Sequence, residues 1–158
     1  MSKLFTAAKS FGNCIGKSFG VNSATGTVSC FVISGGPIIV KYLGFMVSTL
    51  FAGTNTLKFQ FTVNGGSALD LCTAVDTDTL AVGQLMSVPG ITTEALVLPS
   101  GATVGVGIGL LATIADDMPL MLSIGDIHAV WSASSTAGAG IVFMQYVPLS
   151  HYTKVQAQ

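Results

Sequence analysis

The residues able to do covalent chemistry in this 158-residue chain are Cys14, Cys30, Cys72, His128 and His151, with seven acidic residues to orient them. Gly12-Asn13-Cys14-Ile15-Gly16 has the spacing of a nucleophile elbow with cysteine in place of serine. Its chemistry would be acyl transfer, a thiolate attacking a carbonyl with His128 or His151 as base. The elbow needs a strand leading into a sharp turn and a helix, and no strand-like run precedes Gly12. Asp126 lies near His128 in sequence, but if Ile127 and Ala129 point inward along a strand, His128 points outward as a surface or interface side chain. The expectation is a protein without catalytic residues.

Gly107-Ile108-Gly109-Leu110-Leu111-Ala112 matches the glycine spacing of a dinucleotide-binding loop, with Asp126 downstream. That loop works only between a strand and a helix whose N-terminus holds the pyrophosphate, and the tract runs instead into Asp116-Asp117-Met118-Pro119. No cofactor is expected. Asp76-Thr77-Asp78 together with Asp116-Asp117 is the best oxygen-ligand set for calcium, yet aspartates in solvated turns explain the same pattern, and no metal is expected. The three cysteines are widely spaced and lack a CxxC pair, which reads as reduced thiols rather than a disulfide framework or a zinc site.

Charge excludes further classes. Residues 1–69 carry five lysines and no acid, and residues 70–158 carry seven acids and one lysine, so the halves are of opposite sign. The chain has no arginine, the preferred fork for phosphate and guanine, and nucleic acid is not an expected partner. Lys9 and Lys17 interrupt any apolar run of signal-peptide length. Half of the composition is hydrophobic and 8% is charged, so a lone monomer is short of solvating groups and much of its surface is expected to face protein.

The elements that would position these residues are strands. Leu57, Phe59, Phe61 and Val63 alternate with Lys58, Gln60, Thr62 and Asn64, giving a strand with one wet face, and Asn64-Gly65 reads as a tight hairpin turn into Ser67–Cys72. Further strands are expected at 28–34, 37–47, 94–98, 120–124, 127–132 and 140–147. Turn signals separate them at Ser34-Gly35-Gly36-Pro37, 53–56, 76–79, Pro89-Gly90, 99–101, 116–119 and Gly125-Asp126. From Ala102 to Ile114 the apolar side chains fall on even positions and glycine or threonine on most odd ones. This period of two makes the charge-free tract Ala95–Ala115 a strand rather than a transmembrane helix, and no membrane is expected. Short strands at this spacing argue for an all-β, antiparallel sandwich or barrel.

Residues 1–22 read separately as an N-terminal arm, with residues 23–158 as the β-domain. Leu4, Ala8, Phe11 and Ile15 fall on one side of a short amphipathic helix over 2–15. Lys3, Phe5, Lys9, Phe11, Lys17 and Phe19 form a basic, aromatic set suited to a groove on a partner, or equally to the apolar side of a packed helix.

The C-terminal third resembles the closing strands of small jelly-roll proteins that decorate or cement tailed-phage capsids. The matching pieces are Gly125-Asp126, the small-residue stretch Ser132–Gly140 and Tyr146-Val147-Pro148-Leu149. The resemblance implies a β-sandwich of jelly-roll type, a homotrimer assembled in the host cytoplasm, bound to the major capsid protein on the virion surface and reinforcing the shell. The alternative is a glycan-binding β-sandwich, for which Trp131, Tyr146 and Tyr152 are the candidate platform.

Overall fold

The computed structural model describes residues 12–20, 26–88, 120–133 and 137–158. They form an all-β fold of two antiparallel sheets. In chain order the strands are β1 (Asn13–Phe19), β2 (Gly26–Ser34), β3 (Ile38–Ala52), β4 (Thr56–Val63), β5 (Ala68–Asp70), β6 (Val75–Asp76), β7 (Leu85–Ser87), β8 (Leu120–Leu122), β9 (Gly125–Trp131), β10 (Ala137–Pro148) and β11 (Lys154–Ala157). The first sheet runs β1-β10-β3-β7, with β8 also on β3, and the second runs β11-β2-β9-β4-β5, with β6 also on β4.

Most of the pairings are remote in sequence. β1 pairs with β10, β2 with β9, β3 with β7 and β8, and β4 with β5, so early strands meet late ones in nested order. The inner sides of both sheets supply one hydrophobic cluster. Trp131 of β9 joins them: it stacks on Phe51 with ring centroids 5.2 Å apart, meets Phe45 edge-on at 5.6 Å and Phe19 at 6.4 Å. Each large apolar side chain buried there contributes roughly 1.5–3 kcal/mol of transfer free energy.

The period-two strands form as their patterns require. On β4, Leu57, Phe59 and Phe61 are buried and Lys58, Gln60 and Thr62 partly exposed, while Val63 at the strand end is 41% exposed. The hairpin after β4 forms through residues 64–67, with Gly65 at φ 74°, a left-handed conformation costly for any residue with a Cβ. A bulge between Ser29 and Phe31 on β2 turns both Cys30 and Phe31 into the core.

Several expectations change. Residues 13–19, assigned to the arm, are a sheet strand, so the helical pattern does not continue through Ile15; residues 2–11 lie outside the described residues. Local helical spacing over 13–15 gives way to seven residues of pairing with β10. Gly125-Asp126 is not a turn. Gly125 pairs with both Ile33 and Val63, Asp126 with both Val32 and Thr62, and the chain passes from β8 of the first sheet to the second sheet just before them. The glycine is needed for close approach, because a Cβ there would strike the Thr62 carbonyl oxygen and come within 2.8 Å of the Phe61 ring. The strand expected at 94–98, the alternating tract 102–114 and the turns at 89–90, 99–101 and 116–119 also lie outside the described residues. Strands β1, β6, β7 and β11 come in addition to those expected.

Candidate functional site

The two sheets present unlike outer faces. On the second sheet β4 and β9 alternate buried apolar residues with Lys58, Gln60, Thr62, Asp126 and His128. Asp70 on β5 closes a polar cluster there: Lys58 Nζ lies 2.9 Å from its carboxylate, and Gln60 Nε2 donates to Oδ1 at 2.5 Å. The Gln60 hydrogen bond and then Lys58 hold the Asp70 carboxyl below its ordinary value, against a small opposing effect of burial. His128 sits in register between Ser29 and Gln60, and its Nδ1 is buried without a hydrogen-bond partner among the described residues.

The first sheet is apolar on its inner side and largely apolar on its outer side, where Gln145 of β10 is the polar member of the row. On β10, Val142, Met144 and Tyr146 are buried inward, while Ile141, Phe143 and Val147 take the alternate, half-buried positions. They are joined on that outer side by Met46 of β3, opposite Ile141, and Ile39, opposite Val147. Met121 of β8, opposite Ile39, is 66% exposed. Strands β7, β8 and β10 carry no charged residue, and β3 carries only Lys41, next to the register shift between Tyr42 and Val40. Phe143 is in register with Gly16 on one side and Gly44 on the other, and it stacks on Tyr42 at 5.1 Å. Burial raises the Tyr42 hydroxyl above its ordinary pKa, and that hydroxyl has no partner among the described residues.

This apolar outer face escapes reasoning on single residues. Its signal is nonetheless present: GIVFMQYV and PIIVKYLGFMV are apolar at successive positions, the pattern of strands covered on both sides, whereas LKFQFTV and GDIHAVW alternate.

The reactive residues are not assembled. Cys14 is exposed on β1, in register with Gln145 on the first sheet, whereas His128 belongs to the opposite sheet. Cys30 and Cys72 are buried, and desolvation pushes their thiols up to about 12 and about 11 respectively. Asp76 and Asp78 serve the local turn: Asp76 Oδ1 accepts from the Asp78 N–H at 2.9 Å, and the Asp78 carboxylate accepts from the Asn55 N–H at 3.2 Å. Asp116, Asp117 and the glycine tract 107–112 lie outside the described residues. Among the described residues no three His, Cys, Asp or Glu side chains group as metal ligands, and no helix is long and apolar enough to cross a membrane.

Of the basic, aromatic set, Lys3, Phe5, Lys9 and Phe11 lie outside the described residues. Phe19 is 3% exposed and belongs to the core, where it cannot anchor a partner. Lys17 turns toward the second sheet, its Nζ donating to the Ser29 carbonyl at 2.7 Å and lying 5.3 Å from the centre of the Phe19 ring. The bulge that buries Cys30 adjoins this carbonyl. Of the glycan-platform candidates, Trp131 and Tyr146 are buried and Tyr152 is exposed beside His151.

Compared with known proteins, the chain matches no family model, no curated protein and no solved structure.

Proposed function

We propose that this chain is a structural protein of a virion, a β-sandwich of jelly-roll type that binds the major capsid protein at the capsid surface and stabilises the shell as a homo-oligomer. The observation that carries the reading is the nested pairing of β1 with β10, β2 with β9, β3 with β7 and β8, and β4 with β5, closed by β10 on β3 and β9 on β4. That order is the one produced when a long antiparallel ribbon wraps into the double-sheet jelly roll, an architecture frequent in viral shells and also in lectins. Fold analogy alone does not assign a role. The choice between them rests on the surface: two of three candidate sugar-stacking aromatics are buried, while a largely apolar face of the first sheet, with few charges, offers protein contact. Burial of such a face stabilises an assembly by about 25 cal/mol per Å² of apolar area before the costs of association. In the family that the C-terminal third resembles, the assembly is a homotrimer made in the host cytoplasm and carried on the virion.

The test is to express the tagged chain in its cell of origin and fractionate particles. Co-purification with capsids, and added density over capsid subunits in electron micrographs, is the expected result; a chain found free of particles, or retained on a glycan array, rejects the reading. Capsid attachment through the N-terminal arm is tested by removing residues 1–11 alone, since a cut at residue 22 would also delete β1. The truncated chain is expected to fold and to lose particle binding.

A further inference from the structure

We infer that Asn64 is a site of spontaneous covalent modification: the Gly65 backbone nitrogen displaces its side-chain amide, leaving aspartate or isoaspartate at the tip of the hairpin between β4 and β5. The sequence supplies one such pair of reactants. Of the four asparagines Asn13, Asn22, Asn55 and Asn64, only Asn64 is followed by glycine. The attacking nitrogen must approach the preceding side chain closely, and a Cβ on its own residue hinders that approach.

The structure leaves both groups available. Asn64 and Gly65 are exposed and form the centre of a turn closed by the Gly66 N–H, which donates to the Val63 carbonyl at 2.8 Å. The Asn64 N–H donates to the Ile124 carbonyl at 3.2 Å, but among the described residues neither the Asn64 side-chain amide nor the Gly65 N–H has a hydrogen-bond partner. Beyond its chain neighbours, no heavy atom lies within 4 Å of where a Cβ on Gly65 would stand, so the peptide can rotate into the attack geometry. Asn55 is the opposite case. It is 1% exposed, its Oδ1 accepts from the Ala133 N–H and Ser132 Oγ, and the next nitrogen, that of Thr56, donates to Ser132 Oγ at 2.9 Å. Asn13 lies within β1, where pairing with β10 holds the backbone extended. Asn22 lies outside the described residues.

The step balances with water as the sole co-reactant. The deprotonated Gly65 nitrogen attacks the Asn64 side-chain carbonyl carbon, a C–N bond forms, the bond to the NH2 group breaks, and ammonia leaves. Water then opens the five-membered succinimide. Opening at the side-chain carbonyl gives aspartate, and opening at the backbone carbonyl gives isoaspartate, which routes the chain through the former side chain and lengthens it by one methylene. Both products add a negative charge, and isoaspartate also alters a turn that sets strand register. Only three pairs hold β5 on β4, Gln60 with Asp70, Phe61 with Leu69 and Thr62 with Ala68, so β5 is the element that loosens. The hairpin thereby records the age of each molecule.

The test incubates the folded full chain at neutral and mildly alkaline pH, maps its peptides by mass spectrometry, and labels isoaspartate with a protein isoaspartyl methyltransferase. Asn64 is expected to convert faster as the pH rises, at least about tenfold faster than Asn13 or Asn55, with isoaspartate among the products. Asn64→Gln should abolish the isoaspartyl signal, and Gly65→Ala should slow conversion at least about tenfold. Asn64 is exposed, so its replacement by glutamine leaves folding intact if the alanine disturbs a turn that has Gly65 at φ 74°. Aged protein should exchange the amide hydrogens of residues 68–70 faster than fresh protein, whereas fresh Asn64→Asp, with the charge but not the longer backbone, should not. An Asn64 that stays intact in the folded chain while the unfolded chain converts overturns the inference, as does equal conversion at Asn13 or Asn55. Unchanged exchange over residues 68–70 in isoaspartyl protein overturns the loosening of β5.

Discussion

Asn55 holds one end of the structure through both its backbone and its side chain. Its carbonyl accepts from Thr77 N and Oγ1, each at 2.9 Å, and its Oδ1 accepts from the Ala133 N–H at 3.2 Å and Ser132 Oγ at 3.4 Å. It is 1% exposed, and truncation leaves the Ala133 N–H and the Ser132 hydroxyl without this part-buried acceptor. Asn55→Ala is expected to lower stability by about 1–3 kcal/mol, read from the denaturant midpoint. Gly125→Ala should cost a similar amount, about 1–3 kcal/mol, because its methyl group overlaps the Thr62 carbonyl and the Phe61 ring. The buried thiols set a pH dependence. Their folded pKa values are raised above the unfolded value of 9.0, to about 12 for Cys30 and about 11 for Cys72. The stability they confer is therefore complete below pH 9.0 and is lost as the pH climbs toward the folded values, since the unfolded chain ionises first. Urea midpoints should fall over that window, and less steeply in Cys30→Ala. At neutral pH a thiol reagent should reach neither Cys30 nor Cys72 before unfolding.

Strands with a strict period of two are legible as elements. β4 and β9 can be read directly, because one face of each is polar and the other apolar. β10 is legible as a strand, but its largely apolar pattern on both alternations says only that something covers it, and the sheet must be seen before its inner and outer sides are told apart. β1 is not legible at all: Ile15 and Phe19 suit a helical stripe as well as a strand, and only long-range pairing with β10 decides between them. The short β6 and β7 carry too few residues to show any period. Gly125-Asp126 misleads because turn chemistry and close backbone approach both select glycine. Since β1 belongs to the sheet, Phe19→Ala should destabilise by about 3–5 kcal/mol, a loss visible in thermal unfolding. A docked arm without structural duty would show none. Deleting residues 154–158 removes β11 from the edge of β2 and the Gln158 N–H from the Cys30 carbonyl. The uncovered edge should raise aggregation on heating, measured by light scattering.

At the level of the whole molecule, the candidate site is a contrast between faces, and the distribution of charge along the chain only hints at it. Lysines before residue 70 and acids from there on meet on the second sheet, where Lys58 faces Asp70, while the first sheet stays uncharged apart from Lys41 and Lys17. The nested pairing has a kinetic cost as well. β1 cannot pair until β10 exists, and β2 gains its outer neighbour only from β11, so refolding should fall in the millisecond-to-second range of all-β proteins. Stopped-flow Trp131 fluorescence would follow it, because that indole is ringed by Phe19, Phe45 and Phe51.

The first and last strands, β1 and β11, lie against one another on a single flank, one at the margin of each sheet. A short peptide bridging that flank could join them and allow the polypeptide to be reopened at Asn64-Gly65. Anything fused after Gln158 would emerge beside β1, so this flank is a natural point of display.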